Sequence, residues 1–251
     1  VTFSYVGDEI ILNNVSFELR KGKVLGLLGR TGSGKTTITR LLFRLYDANQ
    51  GQIQIAGIPI QDLKQADLRH CISLVTQDVQ LFNATVRQNL TLFDDKISSQ
   101  KIISVIDNLG LTDWYQALPD GLDTMLSAGG SGLSAGEAQL LAFTRIFLKD
   151  PAIIVLDEPS SRLDPVTEAR IDVATQKLLQ GRTSIIIAHR LGTLQRVDEI
   201  MILEDGHIRE HGDRQVLAAD PQSRFSQLLR TGLEDEDPSD EQSQTFKEMP
   251  V

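Results

Sequence analysis

Hydrophobic and polar residues alternate over the first 19 positions of the chain. Val1, Phe3 and Tyr5 fall on one face of an extended segment, and the apolar residues at 15, 17 and 19 fall on one face of a second. Gly7 and a Lys-Gly-Lys turn at 21–23 punctuate this pattern. A period of two residues with turns between the repeats predicts antiparallel strands.

Short continuous apolar runs replace the alternation from position 24 onward. They lie at 24–28, 72–75, 153–156, 184–188 and 199–203, and Ile53 and Ile55 mark a further strand. Such runs are typical of strands buried on both faces of a parallel sheet. Helical spacing is found at 35–46, 77–149 and 164–179. Strands that alternate with helices predict an α/β fold with a mostly parallel sheet.

The composition is that of a globular protein with an acidic balance. The 251 residues are 41% hydrophobic and 24% charged, and the formal net charge is −9. No cluster of Lys and Arg interrupts this balance, which argues against nucleic acid as a partner. The single cysteine, Cys71, cannot form an internal disulfide and fits a reducing compartment.

The two ends of the chain carry separate signals. No apolar run has the length of a membrane-spanning helix. The chain opens on a strand-like segment without an initiator Met, which predicts a piece of a longer protein. Residues 233–251 are acidic and almost free of apolar side chains, so we expect a disordered tail there.

A glycine-rich segment follows the first apolar run. Residues 29–36 match the G-x-x-x-x-G-K-[ST] pattern, between a predicted strand and a predicted helix. Glycines let backbone N–H groups turn toward phosphate oxygens, and a helix N-terminus favours an anion. Lys35 is then expected at the β- and γ-phosphates, and Thr36 at Mg²⁺. The predicted nucleotide-binding residues of this segment are Gly29, Arg30, Thr31, Gly32, Ser33, Gly34, Lys35, Thr36 and Thr37.

Two carboxylates, Asp157 and Glu158, follow the apolar run at 153–156. The carboxyl ends of strands in open α/β sheets face the crevice where ligands bind. Asp157 is therefore predicted to hold Mg²⁺, and Glu158 to act as the general base on a water aimed at the γ-phosphate. Together with the glycine-rich segment, the pair predicts a P-loop nucleoside triphosphatase.

Further motifs occur along the chain in a consistent order. They are Tyr5 in the first strand, Gln77 after the run at 72–75, LSAGEAQ at 133–139, Asp164, and His189 after the run at 184–188. With these motifs the chain resembles the ATP-binding cassette (ABC) family over about 1–232. In that family, Tyr5 would be the aromatic residue that stacks on adenine, and Gln77 would belong to the Q-loop. The segment 133–139 would be the signature, Asp164 would belong to the D-loop, and His189 would be the switch histidine.

The resemblance implies an architecture, two cofactors and several roles. The expected domain has a P-loop core at 1–76 and 150–232, an antiparallel β-subdomain, and a helical subdomain inserted at about 77–149. ATP and Mg²⁺ are the expected cofactors, and Gln77 joins Thr36 and Asp157 as a metal ligand. His189 is expected to sense the γ-phosphate, and Gln77 to couple the nucleotide to a membrane partner.

The resemblance also implies two partners. One is a second ABC ATPase domain in a head-to-tail dimer, in which Ser134 and Gly136 contact the γ-phosphate held by the other chain. The second is a transmembrane domain. With such a partner, the chain is expected at the cytoplasmic face of a cell membrane. The segment QDVQLFNATVRQNL at 77–90 resembles the exporter version of this docking surface, so ATP hydrolysis is expected to drive transport.

Three residues depart from the family pattern. Ala135 replaces the second glycine of the signature, Ala128 stands where exporters usually carry Glu, and Arg162 replaces the D-loop alanine. These departures concern the composite site shared with a partner. The residues Lys35 and Glu158 of the chain's own site are intact.

Two alternatives to an exporter remain open from the sequence. An importer-type ABC ATPase subunit also favours the Asp-Glu-Pro-Ser order at 157–160, although the missing Met and the Tyr5 segment favour an exporter. A non-transport ABC ATPase acting on DNA or ribosomes predicts a coiled-coil insertion, a second cassette or a basic face, and the sequence has none of these.

Overall fold

A computed structural model describes residues 1–7, 9–76, 79–127, 133–157, 165–188 and 192–231 of the chain. Within these ranges, no helix combines the length and the apolar character that a bilayer crossing requires. Several predicted positions lie outside them, and their roles stay predictions: Gln77, Ala128, Glu158, Arg162, Asp164, His189 and the tail 233–251.

Ten strands occur in the described ranges. They are β1 Val24–Leu28, β2 Gln54–Ile55, β3 Ile58–Pro59, β4 Ile72–Val75, β5 Ala84–Thr85, β6 Met125–Leu126, β7 Ile153–Asp157, β8 Thr183–Ile187, β9 Glu199–Glu204 and β10 His207–Asp213. Six of them form one sheet in the order β10-β9-β1-β8-β7-β4. All neighbours in this sheet are parallel except β10, which is antiparallel to β9. The predicted α/β fold with a mostly parallel sheet is confirmed.

The described helices connect and cover these strands. They are α1 Lys35–Leu42, α2 Gln65–Cys71, α3 Val86–Thr91, α4 Ser99–Asn108, α5 Thr112–Gln116, α6 Ala135–Lys149, α7 Pro165–Leu179, α8 Arg214–Ala219 and α9 Arg224–Thr231. Helices α3 to α6 lie between β4 and β7. Their apolar residues, such as Ile102 and Leu140, share one cluster with Ile154 and Ile186 of the sheet. The helices and the sheet thus share one hydrophobic cluster. The division of the chain into a core and a helical subdomain stays a prediction.

Alternate residues of β1 enter two different hydrophobic clusters. Leu25 and Leu27 belong to the cluster that contains Ile38 of α1, whereas Val24 and Leu28 belong to the cluster that contains the apolar residues of α6. All five residues of β1 are buried. Burial on both faces explains why the run is continuously apolar. The loop after β1 therefore begins at a strand that is packed on both sides.

The first 19 residues pair in the antiparallel direction, as predicted, but they form isolated bridges instead of two strands. These bridges join Thr2 to Gln50 and Phe3 to Leu12. Asn14 has a φ of 51°, a left-handed conformation that ends the extended run. The apolar residues at 17 and 19 still pack against the core. Their alternation therefore reflects burial of one face and not a ladder.

Candidate nucleotide site

The sheet brings the predicted phosphate and magnesium residues to one edge. Strand β8 lies between β1 and β7 and is parallel to both. The glycine-rich loop leaves β1 at Gly29, and Asp157 ends β7 opposite Ile187 of β8. Two strand spacings, roughly 10 Å, therefore separate the two features along this edge. Gln77 and His189 follow β4 and β8 in sequence, outside the described residues.

Two glycines of the loop adopt conformations that exclude a side chain. Gly29 has a φ of 147°, and a Cβ at this position would lie 2.2 Å from the carbonyl oxygen of Leu203. Gly34 precedes α1 with a φ of 107°, and its Cβ would lie 2.6 Å from Cδ2 of Leu12. The glycines let the loop turn tightly between β1 and α1. In tight turns of this kind, successive backbone N–H groups can point at one anion, an arrangement called a nest.

The Lys35 side chain lies inside this loop. It is 7% exposed, and its Nζ donates hydrogen bonds to the carbonyl oxygens of Gly29 and, at 2.9 Å, of Arg30. The hydroxyl of Ser33, two positions earlier, is buried without a hydrogen-bond partner. Buried polar groups normally find a partner. An ammonium and an unpaired hydroxyl at the N-terminus of α1 therefore form a site that fits an anion.

Thr36 and Asp157 are the described candidates for Mg²⁺. Thr36 is exposed at the second position of α1, and Asp157 is half-buried at the end of β7. Over the described ranges, no group of three or more His, Cys, Asp or Glu side chains could hold a metal ion. Mg²⁺ usually takes one or two protein oxygens together with waters and phosphates. Thr36 and Asp157 are oxygen ligands of the kind that Mg²⁺ accepts, and Mg²⁺ stays a prediction.

Tyr5 packs against α1, close to the start of the helix. Its hydroxyl lies 3.0 Å from Oγ1 of Thr37 and accepts a hydrogen bond of 3.1 Å from Arg40. Its ring meets Phe3 and Tyr46 edge to face, with centroids 4.9 and 5.0 Å apart. The structure places Tyr5 beside the helix that begins at the loop, and its stacking on adenine stays a prediction. Sequence reasoning missed Arg40 because no motif marks this position.

Ser134 starts α6 with a reciprocal cap. Its Oγ accepts from the N–H of Glu137 at 3.2 Å, while its own N–H and hydroxyl donate to the Glu137 carboxylate at 2.8 and 2.9 Å. Ser134 and Ala135 are exposed, so this helix N-terminus faces outward. The predicted contact of Ser134 with a partner's γ-phosphate stays a prediction. The sequence pattern had not singled out Glu137.

Gly136 has a packing role that the sequence pattern does not reveal. The residue is buried in α6, and a Cβ there would lie 1.9 Å from Cγ2 of Thr167 on α7. The β-branched Thr side chain has few alternative rotamers. The two helices therefore approach this closely because position 136 has no side chain. Its contact with a γ-phosphate stays a prediction.

Gly136→Ala is expected to destabilise the fold. Inserting a methyl group into a packed site costs about 1–3 kcal/mol, more than the helix-propensity gain of about 1 kcal/mol. Thr167→Ser removes the clashing Cγ2, so the double variant should recover most of the lost stability. Thermal unfolding of the parent, both single variants and the double variant measures this. A double variant no more stable than Gly136→Ala would refute the packing role.

A buried asparagine organises the segment that follows Gln77 and Asp78. Asn89 is fully buried; its Oδ1 accepts from the N–H of Phe82 at 2.8 Å, and its Nδ2 donates to the carbonyl oxygens at 82, 84 and 85. Arg145 of α6 donates to the Asn89 carbonyl at 2.8 Å, and burial lowers the pKa of its guanidinium. These bonds hold residues 82–85 against the first turns of α3.

The same segment presents an exposed apolar surface, formed by Phe82, Leu92 and Phe93. These side chains are 46%, 51% and 52% exposed, and the two phenylalanine rings meet edge to face at 5.6 Å. Leu92 and Phe93 have φ values of 52° and 65°, which are uncommon for large side chains. Clustered apolar side chains that remain exposed mark surfaces for interaction.

An ion pair connects α7 with the turn after β8. Arg196 donates through both terminal nitrogens to the two carboxylate oxygens of Asp172, at 2.9 and 2.7 Å. This hydrogen bonding lowers the pKa of the Asp172 carboxyl and raises the pKa of Arg196. Asp172 lies on α7, the helix that follows residues 158–164 with the predicted D-loop. Arg196 lies in the turn that follows residues 189–191, which begin with the predicted switch histidine. The ion pair therefore connects the elements that come directly after these two motifs in the chain.

Comparisons with known proteins show the family to which the chain belongs. A family model described as ABC transporter matches residues 12–161, more than half of the chain. The ATP-dependent lipid A-core flippase of Pasteurella multocida (strain Pm70) is 42% identical over 221 residues, which cover 87% of this chain and 38% of the flippase. The probable multidrug resistance ABC transporter ATP-binding/permease protein YheH of Bacillus subtilis (strain 168) is 39% identical over 219 residues, 87% of this chain and 32% of YheH.

A solved structure supports the same relationship. The structure of a bacterial Atm1-family ABC exporter with ATP bound matches with a TM-score of 0.82 and 35% identity, over 92% of this chain and 41% of that chain. The chain thus spans about two fifths or less of the length of the relatives it matches. The matched range holds the glycine-rich loop and Asp157, and the chain belongs to the ABC transporter family.

Proposed function

We propose that the chain is the nucleotide-binding domain of an ABC exporter, which binds and hydrolyses ATP to drive transport across a membrane. The observation that carries this proposal is the loop 29–36, where Lys35 and the unpaired Ser33 hydroxyl form an anion site on the same sheet edge as Asp157. Family membership implies ATP as the ligand. The names of the relatives, a flippase and a multidrug resistance transporter, favour export over the importer and non-transport alternatives.

The described residues have distinct tasks in this proposal. Lys35 balances the charge of the β- and γ-phosphates, and the N-terminus of α1 adds its partial positive charge. The buried Ser33 hydroxyl gains the partner that it lacks. Thr36, Asp157 and Gln77 would hold Mg²⁺, which would neutralise negative charge on the phosphates.

The catalytic tasks fall to three residues known here from the sequence alone. Glu158 accepts a proton from the attacking water, His189 senses the γ-phosphate, and Gln77 couples the nucleotide to the membrane domain. Each follows within two residues of the end of a parallel strand, namely β7, β8 and β4. Because parallel strands end at one edge of the sheet, this placement supports a common site.

The proposed active unit is a head-to-tail pair of ABC domains. The exposed N-terminus of α6 supports this arrangement, because helix N-termini favour anions. Ser134 offers its hydroxyl to the γ-phosphate held by the partner, in place of its hydrogen bond to Glu137. Gly136 offers its backbone N–H, which lies in the first turn of α6, since glycine has no side chain that could donate. The atypical Ala135 beside a complete P-loop favours a non-identical partner chain, and mass analysis of the intact transporter distinguishes this from a homodimer.

The proposed membrane partner docks on the apolar surface formed by Phe82, Leu92 and Phe93. Their exposure, and the hydrogen bonds by which Asn89 of α3 holds residues 82–85, support a preformed docking site. A transmembrane domain would cover these side chains and would hold the chain at the cytoplasmic face of a cell membrane. Such a domain would also hold two ABC domains at high effective concentration.

Magnesium-dependent hydrolysis of ATP tests the proposed function. The purified chain is expected to bind ATP in calorimetry and to release phosphate with saturation kinetics. Removal of Mg²⁺ with EDTA should abolish phosphate release, whereas ATP binding should persist in weaker form because Lys35 and the loop remain. A chain that binds no ATP at millimolar concentration, with Mg²⁺ present, would overturn the proposal.

A further inference from the structure

The backbone around Tyr5 gives the ring little support of its own. Tyr5 belongs to no strand, and the nearest pairing is the isolated bridge between Phe3 and Leu12. Val6, the next residue, is 87% exposed. The orientation of the Tyr5 ring therefore depends on side-chain contacts.

Helix α1 supplies two of these contacts. Thr37 is buried, and its Oγ1 lies 3.0 Å from the Tyr5 hydroxyl. Arg40, one turn further along the helix, donates to the same hydroxyl at 3.1 Å. Its guanidinium carbon also lies over the Tyr5 ring, 5.6 Å from the centroid. The hydroxyl and the ring are thus both held by the helix that begins with Lys35.

We propose that Arg40 is a positioning residue for the nucleotide base, which acts by holding the Tyr5 ring together with Thr37. This inference rests on the proposed ATP-binding function and on the stacking role of Tyr5. Because Lys35, Thr37 and Arg40 share α1, the helix sets the phosphate subsite and the base subsite in one rigid element. Arg40 prepares the ring before the base arrives and so reduces the ordering cost of binding.

Comparing ATP with inorganic tripolyphosphate separates the two subsites. In the full chain, Arg40→Ala is expected to weaken ATP binding by about two- to fivefold, the scale of an exposed cation–π contact. Binding of tripolyphosphate, which has no base, should not change. Tyr5→Phe keeps the ring and removes the shared hydroxyl, so Tyr5→Phe and Arg40→Ala together should weaken ATP binding less than the product of their separate effects.

A second background shows whether Arg40 acts through Tyr5. In the Tyr5→Ala variant, adding Arg40→Ala should leave ATP affinity unchanged, because no ring remains to be held. Lys21→Ala serves as the control for lost positive charge, since Lys21 lies in the turn before β1, at the opposite end of that strand from the loop. Thermal unfolding confirms that each variant is folded.

Three outcomes would overturn the proposal. An equal loss for ATP and tripolyphosphate would mean that Arg40 acts on the phosphates as a charge. A loss of ATP affinity that persists in the Tyr5→Ala background would mean that Arg40 does not act through the ring. Unchanged ATP affinity in Arg40→Ala would remove the role altogether. Failure of the proposed function looks different, because the parent chain would then bind neither ligand.

Discussion

Glu158→Gln is expected to lower ATP hydrolysis by about 10²–10⁴-fold, the usual contribution of a general base. Gln keeps the size and the hydrogen-bonding capacity of Glu, but it cannot take up the proton of the attacking water. The change also removes a negative charge near the γ-phosphate, so ATP binding should persist or tighten. Because ATP lies between the two domains of the proposed pair, the variant should accumulate as a closed dimer.

Phosphate release measures the loss of hydrolysis, and light scattering coupled to size exclusion measures the dimer. The second experiment is run at high protein concentration, with ATP in the presence and absence of Mg²⁺. Glu18→Gln makes the same charge change at an exposed position of the first segment and should behave as the parent. Hydrolysis at the parent rate in Glu158→Gln would end the general-base assignment and would leave Gln77 or His189 as the next candidate.

Lys35→Ala is expected to weaken ATP binding by about 10- to 150-fold, which corresponds to about 1.5–3 kcal/mol for hydrogen bonds to a charged group. The Lys35 ammonium lies inside the loop at the carbonyl oxygens of Gly29 and Arg30. Its removal leaves the phosphates without their nearest cation in the cradle. Tripolyphosphate binding should fall by a similar factor, because the lost contact does not involve the base.

Calorimetry with ATP and with tripolyphosphate checks this expectation. Lys21→Ala removes the same charge far from the loop and should retain the parent affinity for both ligands. Equal affinity of Lys35→Ala and the parent would refute the site assignment. A loss for ATP alone would instead place Lys35 near the base, contrary to its position at the start of α1, inside the loop.

The parallel strands of the central sheet could be predicted closely from the chain because most of their residues are buried. The antiparallel edge strand β10 has no buried residue and was not predicted. The predicted run at 72–75 coincides with β4, and those at 153–156 and 199–203 end one residue before β7 and β9. The run at 184–188 begins and ends one residue after β8. A polar or turn residue follows each apolar run and marks approximately where the strand ends. The short pair β5 and β6 was not predicted, since two residues carry no periodicity.

The helix after the loop was predicted to be too long. We expected it at 35–46, whereas α1 ends at Leu42. Arg44 has a φ of 50°, and its side chain donates to the carbonyl oxygens of Ile60 and Leu63 at 3.4 and 3.1 Å. These contacts join distant parts of the chain and stabilise a local turn. A helical pattern in the sequence therefore could not locate this end.

The phosphate cradle is encoded locally and could be found by reading the chain. Its strand, glycines, Lys35 and helix lie within the continuous stretch from β1 to α1, and the three loop glycines at 29, 32 and 34 all have positive φ values. Asp157 could be added because it ends a strand that is buried in the same sheet. Short-range spacing thus identified the chemistry, and the family match confirmed the class of protein.

The contacts of Tyr5 with Arg40 and of Gly136 with Thr167 depended on the tertiary structure. Each joins residues on separate elements that meet only when the first segment packs on α1 or when α6 packs on α7. The unpaired hydroxyl of Ser33 likewise becomes apparent only when its surroundings are known. Burial and contact are properties of the packed chain, because they depend on which distant side chains share a volume, and no spacing along the sequence records that.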